Sequence, residues 1–525
     1  MAGDICIVGA GASGITLATE LEAAGTRVCL LESGHFSLNE QVQALYDLDS
    51  VGYPLRENFM SRVRHFGGSC NLWAGRAMRM NPIDFEKRDW VPDSGWPISY
   101  ADVEPYYRRA EKILRLPSFT DFADFEQLDD IGEQERALFK DPGVHPAIAL
   151  WGIKPMRFGK VYKGAIRRSK HTDLYLNANV TDIVPAANGQ AVEKLVVQTL
   201  SGKKLTAKAR TYVLSAGGLE NARLLLVSGG QNSNGLANEH DVVGRYYLDH
   251  PRAIFGSIRV NESVSLPYLT GIPLANGKVQ FGIALSERMQ RDHGLLNSYV
   301  SLEPQMSEFA ERQYGRSINI LKVLLRRGHA GSRFRFSPMD MSNVRDLIYL
   351  LTPKEIMPHF LYRPYAVLKR RIRKTRLLDK LTVINYCEQG PHRNSRVTLG
   401  ADRDALGMKK LILDWRLGDG VQRSVRFLRE VVGRCIQESG IGILEADSTN
   451  VNELGFTDAS HHMGTTRMSE SKKTGVVDQN CKVHGLANMY ISSSSVFPTA
   501  GHANPTLTII ALTLRLADHL KASYQ

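Results

Sequence analysis

Residues 5–32 decide the fold. Residues 5–14 have the sequence ICIVGAGASG, and residues 28–32 have the sequence VCLLE. The uninterrupted apolar run before the glycines is typical of a parallel strand that is covered on both faces. In residues 15–24 the apolar positions recur at helical spacing, and Gly25 follows as a residue that commonly ends a helix. The order strand, glycine-rich turn, helix, strand predicts the start of an α/β domain with a parallel sheet.

The turn follows the pattern G-x-G-x-x-G, which binds the pyrophosphate of a dinucleotide when it joins a strand to a helix. Gly9 permits the tight turn, Gly11 lets the backbone approach the phosphates, and Gly14 lets the helix and the strand pack closely. The start of the helix, with Ala12 and Ser13, offers free N–H groups and the positive end of the helix dipole. We therefore expect a dinucleotide to bind here.

Glu32 ends the second strand, eighteen residues beyond Gly14. Its carboxylate can accept hydrogen bonds from both hydroxyls of an adenosine ribose, and it would repel a 2′-phosphate. The motif is compatible with FAD and with NAD, and this stretch does not decide between them.

The length and composition indicate a globular protein of more than one domain. A chain of 525 residues exceeds what one compact core usually holds. Hydrophobic residues make up 43% and charged residues 23%, which excludes wholesale disorder. The six cysteines are scattered without a C-x-x-C pair, which argues against a disulfide scaffold and fits a reducing compartment. Neither a signal peptide nor a transmembrane helix is indicated, so we expect a cytoplasmic location.

A basic segment, residues 321–380, holds most of the net charge of +12. It contains fifteen Lys and Arg residues against four Asp and Glu residues, whereas the rest of the chain is nearly neutral. That distribution weakens a nucleic-acid-binding interpretation of the whole protein. One interpretation of the segment is a solvated, partly helical excursion. The other is a surface that sits on anionic lipid, which would make the protein peripheral at the inner face of the membrane.

A second glycine-rich loop, residues 64–75, has three glycines within nine residues. Such a loop can bring backbone N–H groups close to a flat or anionic ligand, although a purely structural Ω-loop can have the same composition. The candidate cofactor contacts in this loop are Gly67, Gly68, Ser69, Asn71, Leu72 and Trp73.

A third glycine-containing segment, residues 213–218, has the sequence VLSAGG. It predicts a strand that ends in small residues and is followed by a helix from Leu219. Ala216 and Gly217 would leave room for a cofactor above the strand end. Val180 lies on a separate short predicted strand between polar turns.

The last seventy residues hold the densest set of reactive side chains. Residues 461–468 have the sequence HHMGTTRM, and residues 498–508 have the sequence PTAGHANPTLT. Histidine has a pKa near neutrality, so it is the most suitable general base in this region. Asn504 and Pro505 lie where a loop meets a helix predicted from Thr506, a position suited to an oxyanion or a carbonyl group.

These motifs, in this order along the chain, resemble the glucose-methanol-choline (GMC) family of FAD-dependent oxidoreductases. The ending GHANPTLT is similar to the bacterial sugar-oxidising branch that includes pyranose oxidases. The resemblance implies an α/β fold in which a Rossmann-like FAD-binding domain carries an inserted substrate domain built on an antiparallel sheet plus helices. It implies FAD-binding segments 1–89, 166–254 and 456–525, and substrate-domain segments 90–165 and 255–455.

The resemblance also implies catalytic residues. The histidine of the family motif falls on His461 rather than His462, and its partner falls on Asn504. We predict no metal site, because adjacent histidines on a strand point to opposite faces and no third ligand stands at a suitable spacing.

Further cofactor contacts are implied by the same resemblance. Val180 matches a residue whose backbone meets the adenine, and Ser495, Pro505 and Thr506 complete the set. Leu72 precedes Trp73 at the place where pyranose oxidases attach FAD through a histidine. We therefore expect FAD to be held non-covalently.

The implied reaction is oxidation of a hydroxyl of a sugar, glycoside or polyol to a carbonyl. His461 would take the hydroxyl proton while a hydride moves to flavin N5, and Asn504 would stabilise the developing alkoxide. The electrons would then pass to O₂, a quinone or another carrier. Two alternatives remain: a non-sugar alcohol or sterol as the substrate, and a flavin-binding membrane-surface or partner module in place of an enzyme.

Overall fold

The structure is a computed structural model, and it describes residues 1–55, 61–128, 130–229, 234–261, 264–304, 380–446 and 454–524. The basic segment 321–380, with the predicted membrane surface, lies outside the described residues except for Lys380. Within the described ranges, no helix combines the length and the apolar character that a bilayer crossing requires.

The described α-helices are α1 (Ala12–Glu22), α2 (Glu40–Gln43), α3 (Tyr100–Leu114), α4 (Glu133–Phe139), α5 (Phe158–Arg168), α6 (Gly217–Val227), α7 (Pro267–Thr270), α8 (Glu287–His293), α9 (Asp419–Glu438) and α10 (Thr506–Tyr524). The described strands are β1 (Ala2–Val8), β2 (Val28–Leu31), β3 (Leu48–Gly52), β4 (Val144–Gly152), β5 (Thr172–Tyr175), β6 (Asn179–Pro185), β7 (Val192–Gln198), β8 (Lys204–Leu214), β9 (Arg252–Val260), β10 (Ile272–Leu274), β11 (Gly277–Leu285), β12 (Ser298–Pro304), β13 (Lys380–Cys387), β14 (Arg396–Arg403), β15 (Lys409–Trp415), β16 (Gly442–Ala446) and β17 (Met489–Ile491).

The first sheet has the strand order β5-β2-β1-β8-β7-β6, and β17 also pairs with β8. The pairs among β5, β2, β1, β8 and β17 are parallel, whereas β6 and β7 form an antiparallel extension. Strand β1 is central, and its residues Ile5, Cys6 and Ile7 are fully buried, as the continuous apolar run predicted. The carboxyl ends of β1, β8 and β17 meet at one edge, which is where open α/β sheets bind ligands.

The second sheet is antiparallel, with the order β10-β11-β12-β13-β9-β16 and with β4 paired to β11. Its register places Arg252, Tyr386 and Tyr299 side by side on three neighbouring strands. Directly opposite residues in a sheet point to the same face, so these three side chains form one row. A smaller sheet joins β14, β15 and β3.

The predicted α/β class with an antiparallel second sheet is confirmed. All strands of the first sheet lie in the segments predicted to bind FAD, and those of the second lie in the predicted substrate segments, apart from the first residues of β9. Helix α3 belongs to predicted substrate segment 90–165, yet its Arg109 forms ion pairs with Asp518 of α10 (2.5 Å) and Glu20 of α1 (3.0 Å). The exact domain boundaries therefore stay a prediction.

Three helices that border the cavity begin next to a glycine or a proline residue. Helix α1 starts at Ala12, three residues earlier than its apolar periodicity indicated, because Gly11 serves as the N-cap. Helix α6 begins at Gly217, and α10 begins at Thr506 as predicted. The free N–H groups at the start of α1 lie at the edge where the parallel strands end.

Candidate active site

A cavity of about 680 Å³ extends from the carboxyl ends of the parallel strands to the face of the antiparallel sheet. Ligand sites commonly have volumes of about 300–1,000 Å³. We call one part the cofactor end, formed by Gly9, Gly11, Ser13, Glu32, Arg64, Val180 and Gly217. We call the other part the reaction end, formed by Arg76, Arg252, Glu303, Tyr386, His461 and Asn504.

Glycines shape the cofactor end in two ways. A Cβ at Gly9 would lie 2.6 Å from the backbone oxygen of Ser215, and the φ of +102° at Gly9 also favours glycine. By contrast, a Cβ at Gly11 or at Gly217 would meet no protein atom within 4 Å. Both positions line the cavity, so their missing side chains leave backbone N–H groups accessible to a ligand.

Glu32 uses its carboxylate to hold the backbone beside the turn. Its two oxygens accept hydrogen bonds from Ala10 N (2.9 Å) and Gly34 N (2.8 Å). Burial raises the pKa of Glu32, and these two bonds and the charge of Arg64 oppose that shift. Each oxygen has a second lone pair for a ligand hydroxyl, so the geometry fits the predicted ribose contact.

Most of the predicted cofactor positions line the cavity. They are Gly9, Gly11, Ala12, Ser13, Glu32, Gly68, Ser69, Leu72, Trp73, Val180, Ala216, Gly217, Asn504, Pro505 and Thr506. Four predicted positions do not line the cavity: Gly14, Gly67, Asn71 and Ser495. A Cβ at Gly14 would lie 1.9 Å from Gly9 O, which is the close helix–strand approach expected of it.

The other three contact protein atoms. A Cβ at Gly67 would lie 2.3 Å from Gly159 N at the start of α5. Asn71 donates from Nδ2 to Phe66 O (2.9 Å), which closes the loop on itself. Ser495 is fully buried and accepts hydrogen bonds from Thr466 Oγ1 (2.7 Å) and Asn221 Nδ2 (3.1 Å). Gly67 and Asn71 thus hold the loop 64–75 in place, and Ser495 holds the HHMGTTRM motif through Thr466. All three support the cavity wall without facing the cavity.

Arg62 and Arg64 line the cofactor end and were not predicted as contacts. Glu220 of α6 balances both guanidinium groups, at 3.8 Å from Arg62 Nη1 and 3.1 Å from Arg64 Nη1. Both groups also lie over the ring of Tyr46, at 4.6 and 4.7 Å. Both arginines therefore have an acidic partner within 4 Å, which offsets part of their positive charge.

His461 and Asn504 meet at the reaction end, as the sequence predicted. Asn504 Nδ2 lies 3.2 Å from His461 Nε2, and His461 Nδ1 lies 2.8 Å from Nδ1 of His250. The second ring nitrogen of His250 lies 3.4 Å from Ala500 O. Asn504 Oδ1 is buried without a protein partner, so it leaves one acceptor for a bound molecule.

The carbonyl group of Ala500 determines which ring nitrogens of His250 and His461 carry protons. Ala500 O can only accept, so His250 carries its proton on Nε2. Burial lowers the pKa of His250 to about 4, so the ring is neutral and its Nδ1 has only a lone pair. His461 must therefore donate from Nδ1, which leaves a lone pair on His461 Nε2. That lone pair accepts a hydrogen bond from Asn504 Nδ2, so it is the ring position at which His461 can take up a proton.

Asp249 fixes the backbone of the segment that carries His461. The fully buried carboxylate accepts hydrogen bonds from the backbone N–H groups of His250 (2.7 Å), Ala459 (3.0 Å) and His461 (3.1 Å). Burial and the neighbouring Asp458 raise the pKa of Asp249 to about 7. Asp249 thus positions His250 and His461 by binding their backbone N–H groups.

His462 lines the same cavity but has a different environment from His461. Its Nδ1 lies 2.9 Å from the hydroxyl of Tyr247, and its buried Nε2 has no protein partner. Burial lowers the pKa of His462 to about 3. A ring that resists protonation to this extent is a poor proton acceptor, which favours His461 as the base.

Sequence reasoning missed His250, Asp249 and the arginines Arg76 and Arg252. His250 and His461 are 211 residues apart, and no motif spacing connects them. The only local signal was an acidic residue followed by a histidine near the start of a strand, which is too common to indicate a site.

The C-terminal region matches the sequence model of a known family. Residues 391–513 match the family described as GMC oxidoreductase. A 2-methyl-1,2-propanediol dehydrogenase of Mycolicibacterium austroafricanum is 22% identical to this chain in an alignment that covers 99% of this chain and 95% of that protein. This chain is therefore similar to the GMC oxidoreductases, most directly over residues 391–513.

Two other proteins extend the comparison. The fructose dehydrogenase large subunit of Gluconobacter japonicus is 22% identical over 99% of this chain and 97% of its own length. The crystal structure of pyridoxine 4-oxidase from Mesorbium loti superposes with a TM-score of 0.59 and 17% identity, covering 98% of this chain and 99% of that one. That likeness confirms the GMC fold.

These comparisons support GMC-type, FAD-dependent oxidation of CH–OH groups by an oxidase or a dehydrogenase. The cavity fits that cofactor on two observations. The open space at Gly11 and Gly217 lies at a helix N-terminus that can hold a pyrophosphate. The carboxylate of Glu32 lies next to it with lone pairs available for a ribose.

Proposed function

We propose that this enzyme oxidises a hydroxyl of a sugar, glycoside or polyol to a carbonyl, with His461 as the general base. The observation that carries the proposal is the lone pair on His461 Nε2, which lies 3.2 Å from the amide nitrogen of Asn504 in the cavity wall. A substrate hydroxyl at this position can give its proton to His461 Nε2 while its oxygen accepts a hydrogen bond from Asn504 Nδ2.

The proton step uses groups that the fold holds in place. His461 Nε2 accepts the hydroxyl proton while Nδ1–H continues to donate to His250. The positive charge that develops on His461 lies near the Asp249 carboxylate, which binds its backbone N–H. Asn504 Nδ2 donates to the oxygen as negative charge develops on it, which lowers the barrier.

FAD, when bound, supplies the acceptor for the hydride that leaves the alcohol carbon. The residues placed to hold it are Gly11, Ser13, Glu32, Val180 and Gly217 at one end and Leu72, Pro505 and Thr506 at the other. We propose non-covalent binding, because the position before Trp73 is Leu72, whose side chain has no nucleophile.

A carbohydrate or polyol is the substrate class that we favour. The reaction end combines aromatic rings with several hydrogen-bond donors, and sugars are commonly bound by such surfaces. The fructose dehydrogenase subunit supports a sugar, and the propanediol dehydrogenase supports a small diol as the second candidate. Membership of the branch that includes pyranose oxidases remains part of this proposal.

The decisive experiment is anaerobic reduction of the bound flavin by a panel of sugars, glycosides, diols and a sterol. We expect at least one sugar or polyol to bleach the visible flavin band of the wild-type enzyme. The His461→Ala variant should keep its flavin and lose the reduction rate by about 10³-fold, since general base catalysis contributes roughly 10²–10⁴.

His462→Ala is the matched control, because it changes the adjacent histidine in the same cavity. Its reduction rate should fall much less than that of His461→Ala. Flavin reduction at the full rate in His461→Ala would overturn the base assignment, and bleaching by the sterol alone would overturn the carbohydrate class. Oxygen consumption compared with dye reduction then separates an oxidase from a dehydrogenase.

A further inference from the structure

Two arginines at the reaction end, Arg76 and Arg252, have no acidic partner among the residues that the structure describes. The guanidinium group of Arg252 makes no hydrogen bond and no ion pair with any described residue, and its Nε is buried. Arg76 donates one hydrogen bond, from Nη2 to Ser301 Oγ (3.2 Å), and its Nε is likewise buried without a partner. A guanidinium group has five N–H donors, so most of this capacity is unused.

The antiparallel sheet holds both arginines on one aromatic platform. Tyr386 lies opposite Arg252 on one side and opposite Tyr299 on the other, and the two tyrosine rings stack at 5.3 Å. The Arg252 guanidinium is 5.9 Å from the centroid of Tyr386, and that of Arg76 is 5.7 Å from the same centroid. Arg76 also lies over Trp151 (5.3 Å), so the rings fix its plane.

The arginines at the cofactor end differ from Arg76 and Arg252 in their acidic partners. There, Arg62 and Arg64 each form an ion pair with Glu220. At the reaction end the acid in the wall is Glu303, which accepts a hydrogen bond from Ser301 (2.9 Å) and forms no ion pair with either arginine. Two partly buried positive charges without ion pairs cost folding free energy, so a ligand is the natural source of compensation.

We propose that Arg76 and Arg252 bind an anionic group, a carboxylate or a phosphate, on the substrate whose hydroxyl His461 deprotonates. This inference rests on the proposed function, since it concerns the same cavity. The planar fork of each guanidinium matches the oxygens of either anion and can donate two parallel hydrogen bonds. Arg252 follows His250 by two residues, so the anion site adjoins the base. The substrate class is therefore an acidic sugar or a sugar phosphate.

The kinetic test uses matched neutral and anionic substrates: methyl glucoside, methyl glucuronide and glucose 6-phosphate. Anaerobic reduction of the bound flavin is followed for each one. We expect kcat/KM for at least one anionic compound to exceed that of the neutral one by about tenfold or more, the effect of one charged hydrogen bond. Arg252→Gln and Arg76→Gln should each remove most of that preference, because kcat/KM should fall at least about tenfold more with the anionic compound than with the neutral one.

Arg259→Gln is the matched control, because Arg259 is on the same strand β9 but is exposed and paired with Glu445. It should leave the preference unaltered. Arg252→Lys keeps the charge and loses the fork, so it should retain part of the preference. The glucuronide and the phosphate arms distinguish the two anions. Equal kcat/KM for the neutral and the anionic compounds, or equal loss with both in the arginine variants, would overturn the inference.

A binding measurement separates this inference from the proposed function. Holoenzyme with His461→Ala is titrated with methyl glucuronide and glucose 6-phosphate, and the visible flavin spectrum or calorimetry reports binding without turnover. Binding that is lost in a His461→Ala/Arg252→Gln double variant supports the anion site even if no compound is oxidised. Binding that persists in that double variant, or its absence for both anions in His461→Ala, overturns the anion site whatever the enzyme oxidises.

Discussion

The two ends of the cavity are built by different means. The cofactor end depends mainly on the backbone and on one continuous stretch, in which Gly9, Gly11 and Glu32 lie within 24 residues. The reaction end depends on side chains from distant segments: Arg76, His250, Tyr386, His461 and Asn504. Local sequence can therefore encode the first end, whereas only folding assembles the second.

The difference also concerns charge and protons. At the cofactor end the arginines that line the wall each form an ion pair with Glu220, and Glu32 holds two backbone N–H groups. At the reaction end the proton positions follow from a chain of contacts that starts at the carbonyl of Ala500. A residue outside the predicted site can thus control the chemistry of one inside it.

The largest effect in this comparison is expected at His250, which is a positioning residue. His250→Leu removes the acceptor for His461 Nδ1–H, so the His461 proton can move to Nε2 and block the base. We expect the rate of flavin reduction to fall by about 10²-fold, within the range for lost general base catalysis. Stopped-flow absorbance across a pH series measures it, and the pH profile should shift along with the rate.

Two variants separate this role from simple loss of packing. His250→Asn places an oxygen near the position of Nδ1, so it should restore much of the rate. His145→Leu removes another histidine, which is partly buried, does not line the cavity and has its pKa lowered by burial to about 4. Flavin reduction that falls equally in His145→Leu and His250→Leu would contradict the positioning role.

At the cofactor end, Glu32→Gln should weaken FAD binding by about tenfold to a hundredfold, because hydrogen bonds to a charged group contribute about 1.5–3 kcal/mol. The amide has only one acceptor oxygen, so Ala10 N or Gly34 N loses its partner. Dissociation of flavin on dilution, followed by its fluorescence, measures the change.

Glu135→Gln is the matched control for that prediction. Glu135 is also fully buried and also accepts from two backbone N–H groups, those of Gly132 (3.0 Å) and Leu269 (2.7 Å), but it does not line the cavity. It should lower the melting temperature without a specific loss of flavin. Unchanged flavin affinity in Glu32→Gln would remove Glu32 from the cofactor site.

The smallest effect is a pH dependence of stability that comes from His250. Its pKa is about 4 in the folded protein and near 6.5 when unfolded, so the unfolded chain binds the extra proton between these values. The contribution of His250 to stability is therefore present above pH 6.5 and is lost as the pH falls towards 4. The full loss is about 3 kcal/mol at most, from 1.36 kcal/mol per pKa unit.

Comparison with His250→Asn isolates that contribution from Asp249, whose raised pKa has the opposite sign over the same range. We expect the melting temperature of the variant to improve relative to that of the wild-type enzyme as the pH falls from 6.5 to 4. Parallel melting curves over this interval would contradict the buried neutral state of His250.

Hydrophobic periodicity in the sequence predicted the fold class and the position of several strands and helices. The strand before Gly9, the helices that start near Gly217 and at Thr506, and the α/β class are all present in the structure. The prediction for the wall was less exact, since Gly67, Asn71 and Ser495 contact protein rather than the cavity. Composition and spacing identify a loop near a ligand but do not specify which of its residues face inward.

The sequence alone determined the parallel-sheet core and its glycine-rich turn, because short-range periodicity and a contiguous motif record them. The expectation that His461 and Asn504 act together came from the family resemblance. Only the tertiary structure decided that His250 accepts from His461, that Asp249 clamps both, and that Arg76 and Arg252 share one aromatic platform without an acid. The physical reason is sequence distance. Hydrogen bonds and charge compensation depend on separations of a few ångströms in space, and strand register, set by the whole sheet, brings these residues together.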